Sequence, residues 1–296
     1  MRRNVHQECE LSIITVNYNG LADTCSLLDS ITPFNNSTEV IVVDNASRND
    51  EARQIAERYP MVKVVKSPTN LGFAGGNNLG IKEARGRFLF FVNNDTVYNP
   101  EEVQWLTTRL EHSQHTAIVC PKIRFHWGEK RIQYAGYTPL SRITLRNKGV
   151  GYGEIDKGQY DEAHPTPYAH GAAMLVKREA IEQVGMMPEC YFLYYEELDW
   201  SVMMRNKGYD IWYEPRCTVY HKESQSTGTE SPLKAYYLCR NRLLFAKRNI
   251  SYPTLLATYL YLICIVSLKD ILRYSLHKQT DHIKATLKGL LDFIRI

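Results

Sequence analysis

The chain has 296 residues, 44% hydrophobic and 23% charged, which is enough for one large or two small domains and too apolar for a disordered protein. Its net charge of +4 is uneven: residues 234–296 hold eleven Lys or Arg and three Asp (+8), and residues 1–233 hold 25 basic and 29 acidic residues (−4). A basic tail predicts an anionic partner, and the absence of RNP, zinc-finger and helix-turn-helix signatures argues against nucleic acid.

The N-terminal residues and the cysteines predict a cytosolic protein. The first twelve residues contain two arginines but no apolar core of a signal peptide. Seven cysteines form no CxxC pair and no regular spacing. We therefore expect reduced thiols, and neither a disulfide framework nor a zinc site.

The first part of the chain alternates short apolar strands with helical segments of about ten residues, which is typical of βαβ units with a mostly parallel sheet between helices. The carboxyl ends of parallel strands share one edge, so we expect Asn17, Asp44 and Asp95 to lie along it. The predicted strands are Leu11–Val16, Val40–Val43, Val62–Val65 and the run from Phe88 to Asn93, and the predicted helices are Leu21–Ile31 and Asn49–Tyr59.

Two polar stretches in this part could bind a ligand. The apolar strand from Phe88 stops at Asn93-Asn94-Asp95, which is compatible with a simple Asn/Asp turn or with a site at the sheet edge. Residues 70–80 (NLGFAGGNNLG) are glycine-rich and predict a helix start near Asn77. They match neither the dinucleotide fingerprint nor a Walker loop, so a plain glycine turn is the alternative.

The second part of the chain is less regular. We predict helices at Glu101–Ser113 and Arg178–Val184, the latter capped by Gly185, and a return to regular structure at His170–Lys177. Residues 122–167 are predicted to be irregular, and so long an excursion is typical of a functional flap or an acceptor-side insert. The remaining predicted elements are strands at Ala117–Cys120, Ile211–Tyr213 and Cys217–Tyr220 and a helix at Lys234–Arg248.

An acidic cluster begins the helical segment FLYYEELDWSVMMR. Glu196 and Asp199 are three residues apart and share a helix face, and Glu197 lies about 100° round the helix. Carboxylates this close repel one another and raise a pKa, which prepares a general base near neutral pH. The alternative is a helix N-terminus whose acids favour the helix dipole.

The last part of the chain is apolar and then basic. Residues 250–268 carry no charge, and residues 254–268 are slightly short for a bilayer span. Lys and Arg interleave with Leu and Ile after them, which favours a helix in or on the membrane interface over a clean span. The alternative is a core helix that packs on the domain. We expect a C-terminal helical extension, 234–296, after a catalytic domain, 1–233.

Together these stretches resemble the family 2 glycosyltransferases of the GT-A type, near the bacterial rhamnosyltransferase-like branch. The resemblance spans about Leu11 to Asn249 and rests on motif order. The motifs are SIITVNYNG, EVIVVDNASRND, NLGFAGGNNLGI, FVNNDT, GAAMLVKREAIEQVG, FLYYEELDW, RNKGY and VYH. It implies an α/β fold with a Rossmann-like sheet, and an inverting enzyme that transfers sugar from a dTDP- or UDP-sugar, rhamnose favoured, to a lipid-linked or polysaccharide acceptor at the inner membrane face.

The resemblance also implies residue roles. Glu197 would be the catalytic base, with Glu196 and Asp199 supporting it or binding the acceptor. Asp95 and His221 would hold Mg²⁺ or Mn²⁺. The donor site would consist of Thr15, Val16, Asn17, Asp44, Asn70, Gly72, Gly75, Asn77, Asn93 and Asn94.

Two residues depart from the family pattern. Asn93 stands where the first Asp of the Asp-x-Asp metal motif is expected, which puts the metal affinity in question. Glu197 is one methylene longer than the usual Asp, which affects the placement of the base.

Three other functions compete with this prediction. A processive polysaccharide synthase would carry a QxxRW motif and several spans, and a nucleotidyltransferase would carry a basic glycine-rich loop after the first strand; neither is found. A non-catalytic nucleotide-sugar-binding or scaffold protein of the same fold is the remaining alternative, and a donor-hydrolysis assay separates it from an enzyme.

Overall fold

A computed structural model describes residues 9–223 and 231–296, in which ten strands form one sheet. The order across the sheet is β3-β2-β1-β4-β9-β6-β10-β5, with β7 beside β6 and β8 beside β10. The strands are β1 Leu11–Asn17, β2 Thr38–Asp44, β3 Lys63–Lys66, β4 Phe88–Val92, β5 Thr96–Tyr98, β6 Thr116–Phe125, β7 Ile132–Tyr134, β8 His164–Pro165, β9 Ala173–Lys177 and β10 Asp210–His221.

Parallel strands form one half of the sheet. Strands β3, β2, β1 and β4 are parallel neighbours, and all five residues of β4 are buried. Continuous Phe and Val suit a strand covered by helices on both faces. The predicted α/β fold with a central sheet between helices is thus confirmed, and Asn17 lies opposite Asp44 at the shared edge.

The other half of the sheet is mixed. Strand β9 runs antiparallel to both β4 and β6, whereas β10 runs parallel to β6. Two predictions are corrected here. The strand predicted at Ala117–Cys120 extends to Phe125, into the stretch predicted to be irregular, and the two strands predicted within 211–220 are one strand, β10, with a register shift between Glu214 and Thr218.

Ten α-helices are described, and most lie close to their predicted positions. The largest correction concerns α3, which begins at Gly72 and not near Asn77. The sequence also predicts a polar loop at Lys222–Ser231, which lies mostly outside the described residues. The helices are α1 Leu21–Ile31, α2 Glu51–Arg58, α3 Gly72–Glu83, α4 Val103–Glu111, α5 Arg178–Val184, α6 Glu196–Asn206, α7 Pro232–Asn249, α8 Thr254–Tyr261, α9 Leu268–Leu276 and α10 Thr280–Ile294.

Two apolar clusters hold the fold together. The larger one contains the sheet and the helices that cover it, with β4 at its centre. The smaller one joins the C-terminal helices to Tyr191 and Leu145, which lie earlier in the sequence. All seven cysteines are free.

The C-terminal helices pack on one another and leave much apolar surface exposed. A π-helical segment, Leu262–Ser267, joins α8 to α9, so that residues 254–276 form one helix that is long and apolar enough to cross a membrane. Leu272 and Leu276 are 64% and 83% exposed. Helix α7 lies between α10 and the segment that precedes α6.

Candidate active site

Polar side chains meet at the carboxyl ends of β1 and β2. Asn17 Nδ2 donates to Asp44 Oδ1 at 3.0 Å and to Glu51 Oε2 at 2.8 Å, and all three residues are buried. Thr15 Oγ1 and Asp44 Oδ2 are buried with no hydrogen-bond partner among the described residues. Buried oxygens of this kind are uncommon, so this edge can accept polar groups of a ligand. Val16 instead contacts Gly76 of α3.

Asn70 and Gly72 shape the start of α3. Asn70 Oδ1 accepts from the backbone N–H of Gly72 at 2.9 Å and from Asn45 Nδ2 at 3.0 Å. Gly72 has φ +73°, and a Cβ atom here would clash with the carbonyl group of Phe192. The next residue, Phe73, donates its N–H to the Phe192 oxygen at 2.8 Å. A glycine is required here because the two backbones meet so closely.

Gly75 and Asn77 lie within α3 and not in a loop. The Asn77 side chain donates to the Phe73 carbonyl one turn earlier, at 3.0 Å. A Cβ atom on Gly75 would crowd Leu71. Part of the glycine pattern serves the packing of α3, since Gly76 and Gly80 lie against side chains of β1.

The turn after β4 directs its polar side chains to two different places. Asn94 Nδ2 donates to Thr24 Oγ1 at 3.0 Å, at the start of α1. Asp95 Oδ1 lies 3.1 Å from His221 Nε2, at the end of β10. Asn93 Nδ2 lies 3.5 Å from the same nitrogen. The structure thus brings Asn93, Asp95 and His221 together.

The Asp95–His221 pair fits a cation. His221 Nδ1 lies 2.8 Å from Gln133 Oε1, an acceptor, so the Nδ1 position carries the proton. In a neutral ring, Nε2 then presents a lone pair toward the Asp95 carboxylate. Two facing acceptors suit either a second ring proton or a divalent cation, and the outer hydrogen bond orients the ring as in many metal sites.

The protein supplies few ligands at this point. Within residues 9–223 and 231–296, no set of three or more His, Cys, Asp or Glu side chains could hold a metal ion. Asp95 and His221 would be two protein ligands, and the remaining positions of a hard cation can be filled by water and by oxygens of a bound substrate.

The acidic pair lies in the first turn of α6. Glu196 is 2% exposed, and its Oε2 has no hydrogen-bond partner in the described part of the chain. Burial, followed by the charge of Glu197, raises the pKa of Glu196 to about 8. Burial also raises the pKa of Glu197, which is partly exposed. At neutral pH the pair therefore retains a proton on Glu196.

Asp199 does not accompany the acidic pair. Its carboxylate accepts from Arg248 Nε at 2.6 Å and from Asn249 Nδ2 at 2.6 Å, both at the end of α7. Glu196 and Asp199 are predicted to share a helix face, but their carboxylates lie in different surroundings.

Residues 170–172 lie between these groups. A Cβ atom on Gly171 would be 3.7 Å from Glu197 Cδ and 3.7 Å from Phe73 Cζ. The Ala172 carbonyl accepts from the backbone N–H of Asn93 at 2.9 Å. This segment therefore places the acidic pair beside α3 and the turn after β4.

Four residues near the site were missed by sequence reasoning. Burial, reinforced by His221, lowers the pKa of His170 to about 3, and the His170 ring stacks on Tyr137. Gln133 orients His221, and Glu51 completes the Asn17 network. Gln133 and Tyr137 lie in the predicted insert, and no pattern within the sequence connects them to the site.

Comparisons with known proteins find relatives of this chain. The sequence model described as Glycosyl transferase family 2 matches residues 12–185. The low-salt glycan biosynthesis hexosyltransferase Agl10 of Haloferax volcanii is 28% identical over 97% of this chain and 91% of its own length. The dTDP-rhamnosyl transferase RfbF of Shigella flexneri is 24% identical over 85% of this chain and 86% of its own.

A solved structure shows the same fold. The mannosyltransferase PcManGT from Pyrobaculum calidifontis, in complex with GDP-Man and Mn²⁺, aligns with a TM-score of 0.58 at 14% identity. The alignment covers 96% of this chain and 87% of that one.

Proposed function

Since the chain belongs to glycosyl transferase family 2, we propose that it is an inverting enzyme that moves a sugar from a nucleotide-sugar to a hydroxyl group of a glycan or lipid-linked oligosaccharide. The favoured donor is dTDP-rhamnose or a UDP-sugar. The similarity to RfbF, whose name specifies dTDP-rhamnosyl transfer, supports rhamnose.

The observation that carries this proposal is the position of the acidic pair. Glu197 lies beside Gly171, which also approaches Phe73 at the start of α3, and Ala172 bonds the turn that contains Asp95. We call the carboxyl ends of β1 and β2 together with the start of α3 the donor edge. A base is therefore adjacent to both the donor edge and the candidate cation site at Asp95 and His221. An acceptor hydroxyl held there can reach the anomeric carbon of a bound donor.

We assign the proton transfer to Glu197. Its partial exposure lets an acceptor hydroxyl approach, and burial of the pair raises its pKa toward neutrality. Glu197 takes the hydroxyl proton, the acceptor oxygen bonds to the anomeric carbon, and the bond to the nucleoside diphosphate breaks on the opposite face. Protonated Glu196 keeps a second negative charge away from the base.

The donor edge would hold the nucleotide. The unpartnered oxygens of Thr15 and Asp44 can accept hydrogen bonds from a base or ribose. Asn70 fixes the backbone at the start of α3, and Asn94 bonds the Thr24 side chain at the start of α1.

Asp95 and His221 would hold Mg²⁺ or Mn²⁺ next to the diphosphate. A bound cation stabilises the negative charge of the leaving diphosphate as a Lewis acid. Asn93, at 3.5 Å from His221, adds a neutral amide and no charge to this set.

We further propose that residues 1–233 form the catalytic domain and that residues 234–296 dock on the inner face of the cell membrane. The described part of this extension exposes Leu272, Leu276 and Ile294, the last at 76%. Arg273 and Lys278 flank the two leucines, which suits anionic headgroups. The protein is expected to sediment with phosphatidylglycerol vesicles and not with phosphatidylcholine vesicles. If it sediments with neither kind of vesicle, the docking is refuted.

Nucleotide binding tests the main proposal. UDP, dTDP, GDP and CMP are added with and without Mn²⁺ while thermal unfolding is followed. A ligand at 100 times its Kd should add about 2.7 kcal/mol of stability. A shift with dTDP or UDP that Mn²⁺ enlarges is expected, and no shift with any nucleotide would favour a non-catalytic protein.

The stereochemistry of the product tests the mechanism. With the donor that binds, NMR of the product should show an inverted anomeric configuration. A retained configuration, or a sugar covalently attached to Glu197, would contradict a single displacement.

A further inference from the structure

The segment before the acidic pair has an uncommon backbone. Phe192, Tyr194 and Tyr195 have φ values of +67°, +68° and +81°, and Glu196 follows directly. Side chains with a Cβ rarely adopt this region, and such residues persist where their surroundings hold them. The contacts of this segment therefore determine where α6 begins and, with it, the position of Glu197.

One buried side chain makes most of these contacts. Asn241 of α7 is fully buried, and its Nδ2 lies 3.0, 2.7 and 2.9 Å from the carbonyl oxygens of Tyr191, Leu193 and Tyr194. Its Oδ1 accepts from Arg240 Nε at 2.8 Å, which fixes the orientation of the amide. An NH₂ group has two protons, so one is shared between carbonyls.

The neighbouring residues of α7 reinforce the contact. Arg240 donates to the carbonyl oxygens of Cys190 and Tyr191 at 3.0 and 2.8 Å. Tyr237 stacks on Phe192 with ring centroids 5.3 Å apart. The opposite side of the segment reaches the donor edge, because the Phe192 carbonyl accepts from Phe73.

We infer that Asn241 is a positioning residue for the catalytic base: it holds residues 191–195 in the conformation that places Glu197 between the donor edge and the acceptor. This inference rests on the proposed function. It extends the active site to α7, which lies outside the residues that match the family, 12–185. It also gives the C-terminal extension a part in the chemistry, because α7 joins the site to the helices that carry the exposed apolar surface.

Asn241→Ala tests the anchoring without any activity assay. Hydrogen exchange by mass spectrometry should become on the order of tenfold faster in peptides covering residues 189–199 and stay unchanged in β1 and β4. Leu110→Ala is the control, since it leaves a cavity beneath α4, in the larger apolar cluster. This variant should lower the overall stability. At low temperature, hydrogen exchange of residues 189–199 should keep the wild-type rate.

Kinetics test the positioning. With Asn241→Ala, kcat should fall about 100-fold, because a displacement of about 1 Å has this cost, while the Kd for dTDP or UDP stays within about threefold. Unaltered kcat in an active enzyme overturns the inference. Unaltered hydrogen exchange at residues 189–199 also overturns it, and this exchange can be measured even if the wild type transfers no sugar. Absence of sugar transfer by the wild type would refute the proposed function alone.

A milder variant covers the case in which Asn241→Ala does not fold. Arg240→Met removes two hydrogen bonds to the segment and keeps the aliphatic stem, and kcat should fall about tenfold. Lys247→Met makes the same charge change at an exposed position of α7 and should leave kcat and exchange unaltered. Equal effects of the two substitutions would contradict the inference.

Discussion

Replacing Glu196 by glutamine should make the stability of the protein less dependent on pH. The pKa of this carboxyl rises from 4.5 to about 8, chiefly through burial. Between these values the unfolded chain releases a proton that the folded protein retains. The free energy of unfolding therefore decreases as the pH rises through this window.

The size of the effect follows from the pKa difference. Each unit corresponds to about 1.4 kcal/mol, so the native protein loses about 4 kcal/mol between about pH 5 and pH 8.5 from this group. Glutamine resembles the protonated side chain and does not titrate. The stability of Glu196→Gln relative to the wild type should thus increase by about 4 kcal/mol over this range.

Urea unfolding at both pH values, followed by circular dichroism, measures this difference. Titrating groups outside the acidic pair are common to both proteins and cancel in the comparison. Glu57→Gln is the matched control, because the Glu57 side chain is 67% exposed. A difference between Glu196→Gln and the wild type that is the same at both pH values would refute the reasoning.

Four further substitutions test the site. Glu197→Gln should lower kcat about 10³-fold with little change in nucleotide Kd, and a kcat near that of the wild type would exclude Glu197 as the base. Asp95→Asn should abolish the additional thermal stabilisation that Mn²⁺ gives to the nucleotide complex, and His221→Ala should weaken it; a full metal effect in both would contradict their assignment. Gly72→Ala combines a positive φ with a backbone clash and should cost about 3 kcal/mol in urea unfolding, against about 1 kcal/mol for Gly153→Ala, which has φ +79° but open space.

Local patterns were sufficient for the strands in the parallel half of the fold. Strand β1 and helix α1 lie where the alternation of apolar and helical segments predicts them, because their burial follows the sequence period. The predicted start of α3, near Asn77, is wrong because the actual start depends on a distant part of the chain. Gly72 begins the helix in a positive φ because Phe192, 120 positions later, lies against it. The glycine was visible in the sequence, but its partner was not.

Strand β10 shows how charged residues can conceal a strand. Glu214 and Arg216 interrupt the apolar pattern, which led to a prediction of two strands. In the structure Glu214 is fully buried and bonded by both Arg216 and Arg109 of α4. The ion pairs satisfy a buried carboxylate that lies between the two predicted strands.

The candidate site was visible in part. The motif order indicated Asp95, His221 and the acidic pair through resemblance, and the structure places Asp95 and His221 in contact. Their supporting contacts come from distant segments: Gln133 bonds His221, and Asn241 bonds the segment before Glu196. Such contacts depend on the tertiary fold and leave no periodic signal.

The acidic pair also resolves a competition between two physical effects. Acids in the first turn of a helix are stabilised in their charged form by the dipole, by about 0.3–1 kcal/mol at exposed sites. That effect alone would lower the pKa of Glu196. The pKa is instead raised to about 8, a change worth about 5 kcal/mol in the opposite direction. Burial therefore outweighs the dipole, so a helix start that could be purely structural holds a proton at neutral pH, next to the partly exposed Glu197.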